Sequence, residues 1–171
     1  MGLGFGMSPL EIMATDAMLR GAVYLEDFTY SIAYLTGTAT ALGASSSVDA
    51  SVQLNNDADF IIQEVNLVSW SAVATIIGDP DYTLLLTMAG SGRQIMNQAQ
   101  HVLTFCGAFA QNRVPGRRPF PRLLAKSNTI QTTLTNRSAV AANRVDLAFR
   151  GFKVFYQGNP DMERQRIFHV L

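Results

Sequence analysis

The stretch RVDLAFRGFKVF, residues 144–155, decides the class of fold. From Arg144 to Arg150 its side chains alternate, with Val145, Leu147 and Phe149 on one parity and Arg144, Asp146 and Arg150 on the other. Successive side chains of an extended strand point to opposite faces, so the pattern predicts a strand with one buried and one wet side. Beyond Gly151 the apolar residues change parity, to Phe152 and Val154. A parity change at a glycine predicts a β-bulge in this strand, one extra residue that bends it and re-aims the side chains beyond. Arg144, Arg150 and Lys153 are then expected to face outward.

The same alternation recurs upstream. Phe28, Tyr30, Ile32 and Tyr34 share one parity, as do Val48, Ala50, Val52 and Leu54, and Tyr82, Leu84, Leu86 and Met88. FIIQEVNLVSW, residues 60–70, reads as a long strand with a parity slip near Gln63-Glu64, and HVLTF and TIQTTLTN as two more. Clusters of turn residues, LGASS, NNDAD, IGDPD, AGSG and TNRS, separate them. Seven or eight short strands without amphipathic helices between them predict an all-β, antiparallel, jelly-roll-like β-sandwich over residues 22–157.

Ahead of it, residues 1–21 read as a glycine-rich arm and a docking helix. Ser8 caps, Pro9 takes the first helical position, Glu11 completes a capping box and Gly21 stops the helix. Its Ile12, Met13 and Leu19 are too apolar to face water and should dock on the body or on a neighbouring chain. Residues 158–171 form a tail with a turn at Gly158-Asn159-Pro160 and an apolar tip. The long irregular region, residues 110–128, holds Pro115, Pro119 and Pro121, which cannot donate to a ladder; a loop or an edge-hugging arm is expected. Arg113, Arg117, Arg118, Arg122 and Lys126 lie there without an acid, and Phe120 sits between two prolines.

With 171 residues, 48% apolar and 15% charged, the chain suffices for one domain with a core, and disorder is excluded over most of its length. No apolar run approaches the roughly 18 residues of a membrane span, and no signal peptide is expected. The net charge is zero but unevenly spread: ten acids and one base in residues 1–90, three acids and twelve bases in 91–171. Copies could therefore meet acidic side to basic side, or sit on another charged protein surface.

Chemistry finds little purchase. Two histidines, His101 and His169, and one cysteine, Cys106, are too few for a hydrolytic triad or a zinc site. Asp57 with Asp59, and Asp79 with Asp81, fall in compositions that turns favour. Gly90-Ser91-Gly92-Arg93 lacks the rest of a phosphate-binding motif. Asn136-Arg137-Ser138 matches a glycosylation sequon, in a chain with no expected route to that machinery. No enzyme, cofactor or metal is expected. The basic cluster suits protein carboxylates better than nucleic acid, since nothing like a recognition helix or an aromatic RNA-binding strand accompanies it.

Taken in order, LGASSSVDASVQLNNDADFIIQEV, SGRQIMN, PRLLAKSNTIQTTLTNRS and VDLAFRGFKVF cover most of residues 41–155 and resemble small virion structural proteins of tailed bacteriophages. The resemblance implies a capsid decoration (cement) protein that binds the assembled head, made in the host cytoplasm and carried in the virion. Its expected partners are the major capsid protein or other virion proteins and copies of itself, a trimer above all, without membrane or nucleic acid. Expected contacts are Arg113, Arg117, Arg118, Phe120 and Arg122 on one side and Ile12, Met13 and Leu19 on the other. The alternatives are a neck, tail or baseplate component and, more remotely, a carbohydrate-binding module using Trp70, Tyr82 or Tyr156.

Overall fold

A computed structural model describes residues 12, 16, 18, 20, 22–34, 42–71, 81–89, 95–106, 116–139, 141–158 and 160–162, with the side chains of 71, 116–121 and 143 left aside. Among the described residues there are eight strands: β1 Val23–Tyr34, β2 Ser47–Gln53, β3 Asp59–Ser71, β4 Tyr82–Ala89, β5 Gln100–His101, β6 Gly116–Leu124, β7 Thr129–Asn136 and β8 Ala142–Tyr156. They form two four-stranded antiparallel sheets, in the orders β1-β8-β3-β6 and β2-β7-β4-β5. The first strand thus pairs with the last, the second with the seventh, the third with the sixth and the fourth with the fifth. Folding one long ribbon in half and rolling it, so that successive pairs fall in alternate sheets, produces this order.

The sheets face each other across the core that the alternation predicts. Tyr30, Ile32 and Tyr34 of β1, Phe60, Ile62, Val65 and Leu67 of β3, and Val145, Leu147 and Phe149 of β8 come from one side. Tyr82, Leu84 and Leu86 of β4 and Ile130 and Leu134 of β7 come from the other. Each such side chain contributes about 1.5–3 kcal/mol through the apolar area it withdraws from water. Among the described residues no helix is long and apolar enough to cross a membrane.

Four local expectations need correction. First, β8 carries no extra residue at Gly151: its pairing with β1 runs unbroken from Val23↔Tyr156 to Tyr34↔Val145. The bulge lies in β3, where Ile62↔Gly151 is followed by Glu64↔Arg150 and Gln63 is the extra residue. This is the slip read in the sequence near Gln63-Glu64, and it carries the inner face from Ile62 to Val65. The parity change in β8 has another cause. Val154, with Val23, Ile61 and Leu123, belongs to a second apolar cluster, and alternation puts these residues on the face of the sheet opposite the main core. Second, Lys153 keeps the inner parity of Phe149 and is only 5% exposed, rather than outward; Arg144 and Arg150 are exposed as expected. Third, most of HVLTF is not strand: after His101 the chain turns through a single 3₁₀ turn, Val102–Thr104, because the His101 side chain accepts from the Leu103 N–H. Fourth, of the two forms expected for residues 110–128, the loop gives way over 116–124 to the edge-hugging one, which here is a paired edge strand, β6.

Of the expected N-terminal helix, the described residues show one helical step. Arg20 donates its N–H to the Asp16 carbonyl at 3.0 Å, and its side chain pairs with the Asp16 carboxylate at 2.9 Å. Ile12 and Met18 are also helical and exposed; the other residues of that segment and the apolar tip of the tail lie outside the described residues.

Candidate functional site

Strand β6 sits at the edge of its sheet, the one position where prolines are tolerated, because an edge strand turns half of its N–H groups away from the ladder. Its pairing with β3 is interrupted. Between Ile62↔Arg122 and Glu64↔Arg117, β3 spends one residue, Gln63, whereas β6 spends four, Arg118, Pro119, Phe120 and Pro121. The β6 backbone therefore departs from the ladder at the point where β3 also bulges against β8. Kinked edges of this kind terminate pairing and re-aim side chains.

What makes the double irregularity possible is Gly151. A Cβ at that position would stand 1.8 Å from the Ile61 carbonyl oxygen and 3.3 Å from the Gln63 nitrogen. The bulged β3 backbone crosses so close to β8 that only hydrogen fits.

Near this point a polar knot joins the turns β2–β3 and β6–β7 to the end of β8. Lys153, buried, places Nζ 2.8 Å from an Asp57 carboxylate oxygen and 4.2 Å from the centre of the Phe28 ring. That hydrogen bond, above all, holds the Asp57 carboxyl below its ordinary range. Asp59, 1% exposed, accepts from the Lys126 N–H at 2.8 Å and from the Tyr156 hydroxyl at 2.7 Å. Leu54 N–H to the Asn128 carbonyl, Ser127 N–H to the Asn55 carbonyl and Asn55 N–H to the Tyr30 hydroxyl complete it. The knot fixes the start of β3 and the end of β6, and so the frame from which the kinked edge departs. Asp57 lies in the bend before β3, as its composition suggested; Asp59 is not a turn acid but the first residue of β3, a buried tie.

At the opposite end, Asn136 is fully buried. Its Nδ2 donates to the Leu42 and Gly43 carbonyls at 3.1 and 3.2 Å, and its Oδ1 accepts from the Ser138 N–H. The sequon asparagine is thus consumed by the fold, a stronger reason against glycosylation than any the sequence carries. His101 places Nε2 3.2 Å from Asp81, a strand-end contact. In the core, the Tyr34 hydroxyl donates to Thr132, which donates to the Ala50 carbonyl; burial pushes the Tyr34 hydroxyl and the Cys106 thiol up, keeping both neutral. Among the described residues no three His, Cys, Asp or Glu side chains gather as metal ligands.

The structure brings Arg117, Arg118, Phe120 and Arg122 to the kinked edge, Arg122 being half-buried. Ile12 is 55% exposed; Met13, Leu19 and Arg113 lie outside the described residues. Lys153, Asp59 and Asn136 escaped the sequence reading as organising residues. A lysine continuing the apolar parity of Val145, Leu147 and Phe149 was the one available signal. No protein-family model matches the chain, and no curated protein matches it.

Proposed function

We propose that the chain is a non-enzymatic structural protein of a phage virion, a capsid decoration (cement) protein built as a jelly roll. The observation that carries this is the pairing of first with last, second with seventh, third with sixth and fourth with fifth strand. An eight-stranded ribbon rolled in this way is the jelly-roll arrangement, which recurs in viral capsid domains as well as in lectins and cupins. The resemblance carried by residues 41–155 favours the first of these. Of the aromatics a lectin reading needs, Tyr82 is 1% exposed, Tyr156 is bonded to Asp59, and the Trp70 ring lies 5.3 Å beneath the Arg144 guanidinium.

The mechanism is mechanical. Copies bound only to the assembled shell stabilise it by linkage, and modest affinity repeated over many sites suffices. The basic edge, Arg117, Arg118 and Arg122 with Arg113, supplies charged contacts, and Phe120 lies at its kink. Ile12, Met13 and Leu19 supply apolar contact with the shell. Quantitative mass spectrometry of purified particles tests the reading: a copy number comparable to the major capsid protein is expected. A dozen or so copies would move the protein to the neck or baseplate, and absence from particles would overturn the virion reading.

A further inference from the structure

Among the described residues, the unequal charge of the two halves of the chain survives folding on the flanks of the sandwich. Strand β1, an edge of its sheet, reads VYLEDFTYSIAY: it carries Glu26 and Asp27, both exposed, and no base. Beside it across the sandwich runs β2, SVDASVQ, the edge of the other sheet, with Asp49 and again no base. The opposite edge of the first sheet is β6, GRRPFPRLL, with Arg117, Arg118 and Arg122 and no acid. Between the edges the charges mix and cancel: Arg150 meets Glu64 at 3.4 Å, and Lys153 meets Asp57 although its register neighbour on β1 is Glu26.

Acids and bases also stand at nearly the same height. One row across the sheet runs Asp27, Phe152, Ile61, Leu123; the next runs Phe28, Gly151, Ile62, Arg122; the one beyond runs Thr29, Arg150, Glu64, Arg117. The two edge strands are three strand spacings apart, about 14 Å at roughly 4.8 Å each. This exceeds the screening length of about 8 Å at physiological salt. Within one molecule the two edges therefore neutralise each other little; between molecules, edge to edge, they can approach to ion-pair distance.

We propose that the acidic β1 flank of one copy receives the basic β6 edge of the next. A head-to-tail contact of this kind joins two different surfaces, and near-level edges allow it to close into a ring when the rotation divides the circle. Side chains make the contact. A continuous ladder from copy to copy is prevented because Pro119 and Pro121 lack N–H groups and the β6 backbone leaves the sheet at residues 118–121. The inference takes from the virion reading only that the basic edge is a contact surface, and names its partner as a second copy of this chain.

Light scattering on the purified full chain tests it, at about 50 mM and about 500 mM salt. Oligomers are expected at low salt and smaller species at high salt, since exposed ion pairs are screened. The paired reversals Glu26→Arg with Asp27→Arg, and Arg117→Glu with Arg118→Glu, should each weaken association at least tenfold. The chain carrying all four reversals should associate again, because its edges are complementary in the opposite sense. Circular dichroism establishes that each variant is folded. Should a reversal not fold, the neutral pairs Glu26→Gln with Asp27→Asn, and Arg117→Gln with Arg118→Gln, should still weaken association. A chain that is monomeric at every salt, an oligomer indifferent to salt and to these substitutions, or a folded fourfold reversal that stays monomeric overturns the proposal. Salt-sensitive oligomers of a protein missing from particles would overturn the virion reading and leave this one; abundance on particles with a monomer at every salt would do the opposite.

Discussion

Gly151 and Lys153, two residues apart on one strand, show how differently single positions are constrained. At Gly151 the constraint is backbone against backbone: the Ile61 carbonyl occupies the space a methyl group would need, and a strand bulged over its neighbour cannot move away without losing its ladder. Gly151→Ala is expected to destabilise the fold by about 3 kcal/mol or more, the upper end of the cost of overpacking. Urea unfolding checks this, and a change under about 1 kcal/mol would mean that the close approach relaxes. At Lys153 the constraint is charge. Its ammonium is buried, and its carboxylate partner Asp57 is half-open to water at 44% side-chain exposure. Because the folded protein holds Asp57 below its ordinary value of 3.8, the pair contributes stability that is fully present above about pH 4. That contribution is lost as pH falls through the lower folded value. Asp57→Asn should therefore lower the Tm at neutral pH, by the equivalent of about 1 kcal/mol after allowance for solvent screening. The gap between variant and parent should close towards pH 2–3. A gap that stays constant with pH would mean that the pair contributes nothing through its charge.

Among the elements, β8 carries the most information, because its two faces are buried in different places. Over Val145, Leu147 and Phe149 the inner face is core; at Val154 the outer face is buried as well, within the second cluster. Val154→Ala is expected to cost about 2 kcal/mol, as a core truncation does. Arg150→Ala, exposed on the same outer face with a 3.4 Å pair to Glu64, should cost less than about 1 kcal/mol. Equal effects in thermal denaturation would mean that the outer cluster does not stabilise the sheet. Strand β6 shows the reverse case, an element that pattern alone leaves open between a loop and an edge-hugging arm. Its three arginines and two prolines resemble a loop because composition reports on interior strands, and β6 is an edge strand that leaves the ladder for four residues.

For the whole molecule, the pairing of the first strand with the last means that no half of the chain can complete a sheet alone. Strand β8 lies between β1 and β3, so the basic end of the sequence is inserted into the acidic end. Among the described residues, Arg150 with Glu64 and Lys153 with Asp57 join the two halves in charge, while the acids of β1 and the bases of β6 stand on opposite edges, where the proposed head-to-tail contact would use them. Phage particles and purified chains answer separate questions here: copy number addresses the virion role, and salt dependence addresses the contact.

Much of the architecture was legible in the residues. Alternation in β1, β2, β4 and the first part of β8 specified strands and their apolar faces, because a period of two is a local property that each strand carries by itself. The bend at Asp57 and the slip at Gln63 were visible for the same reason. Of the candidate site, the basic segment could be read from composition, but its place on a kinked edge opposite an acidic one could not. Strand order, the bulge lying in β3 rather than β8, the burial of Lys153, Asp59 and Asn136, and the segregation of charge to opposite flanks all depend on which strands become neighbours. Pairing across a sheet joins residues far apart in the chain, Val23 with Tyr156 at the extreme, and only the folded chain brings their charges and backbones close enough to act on one another.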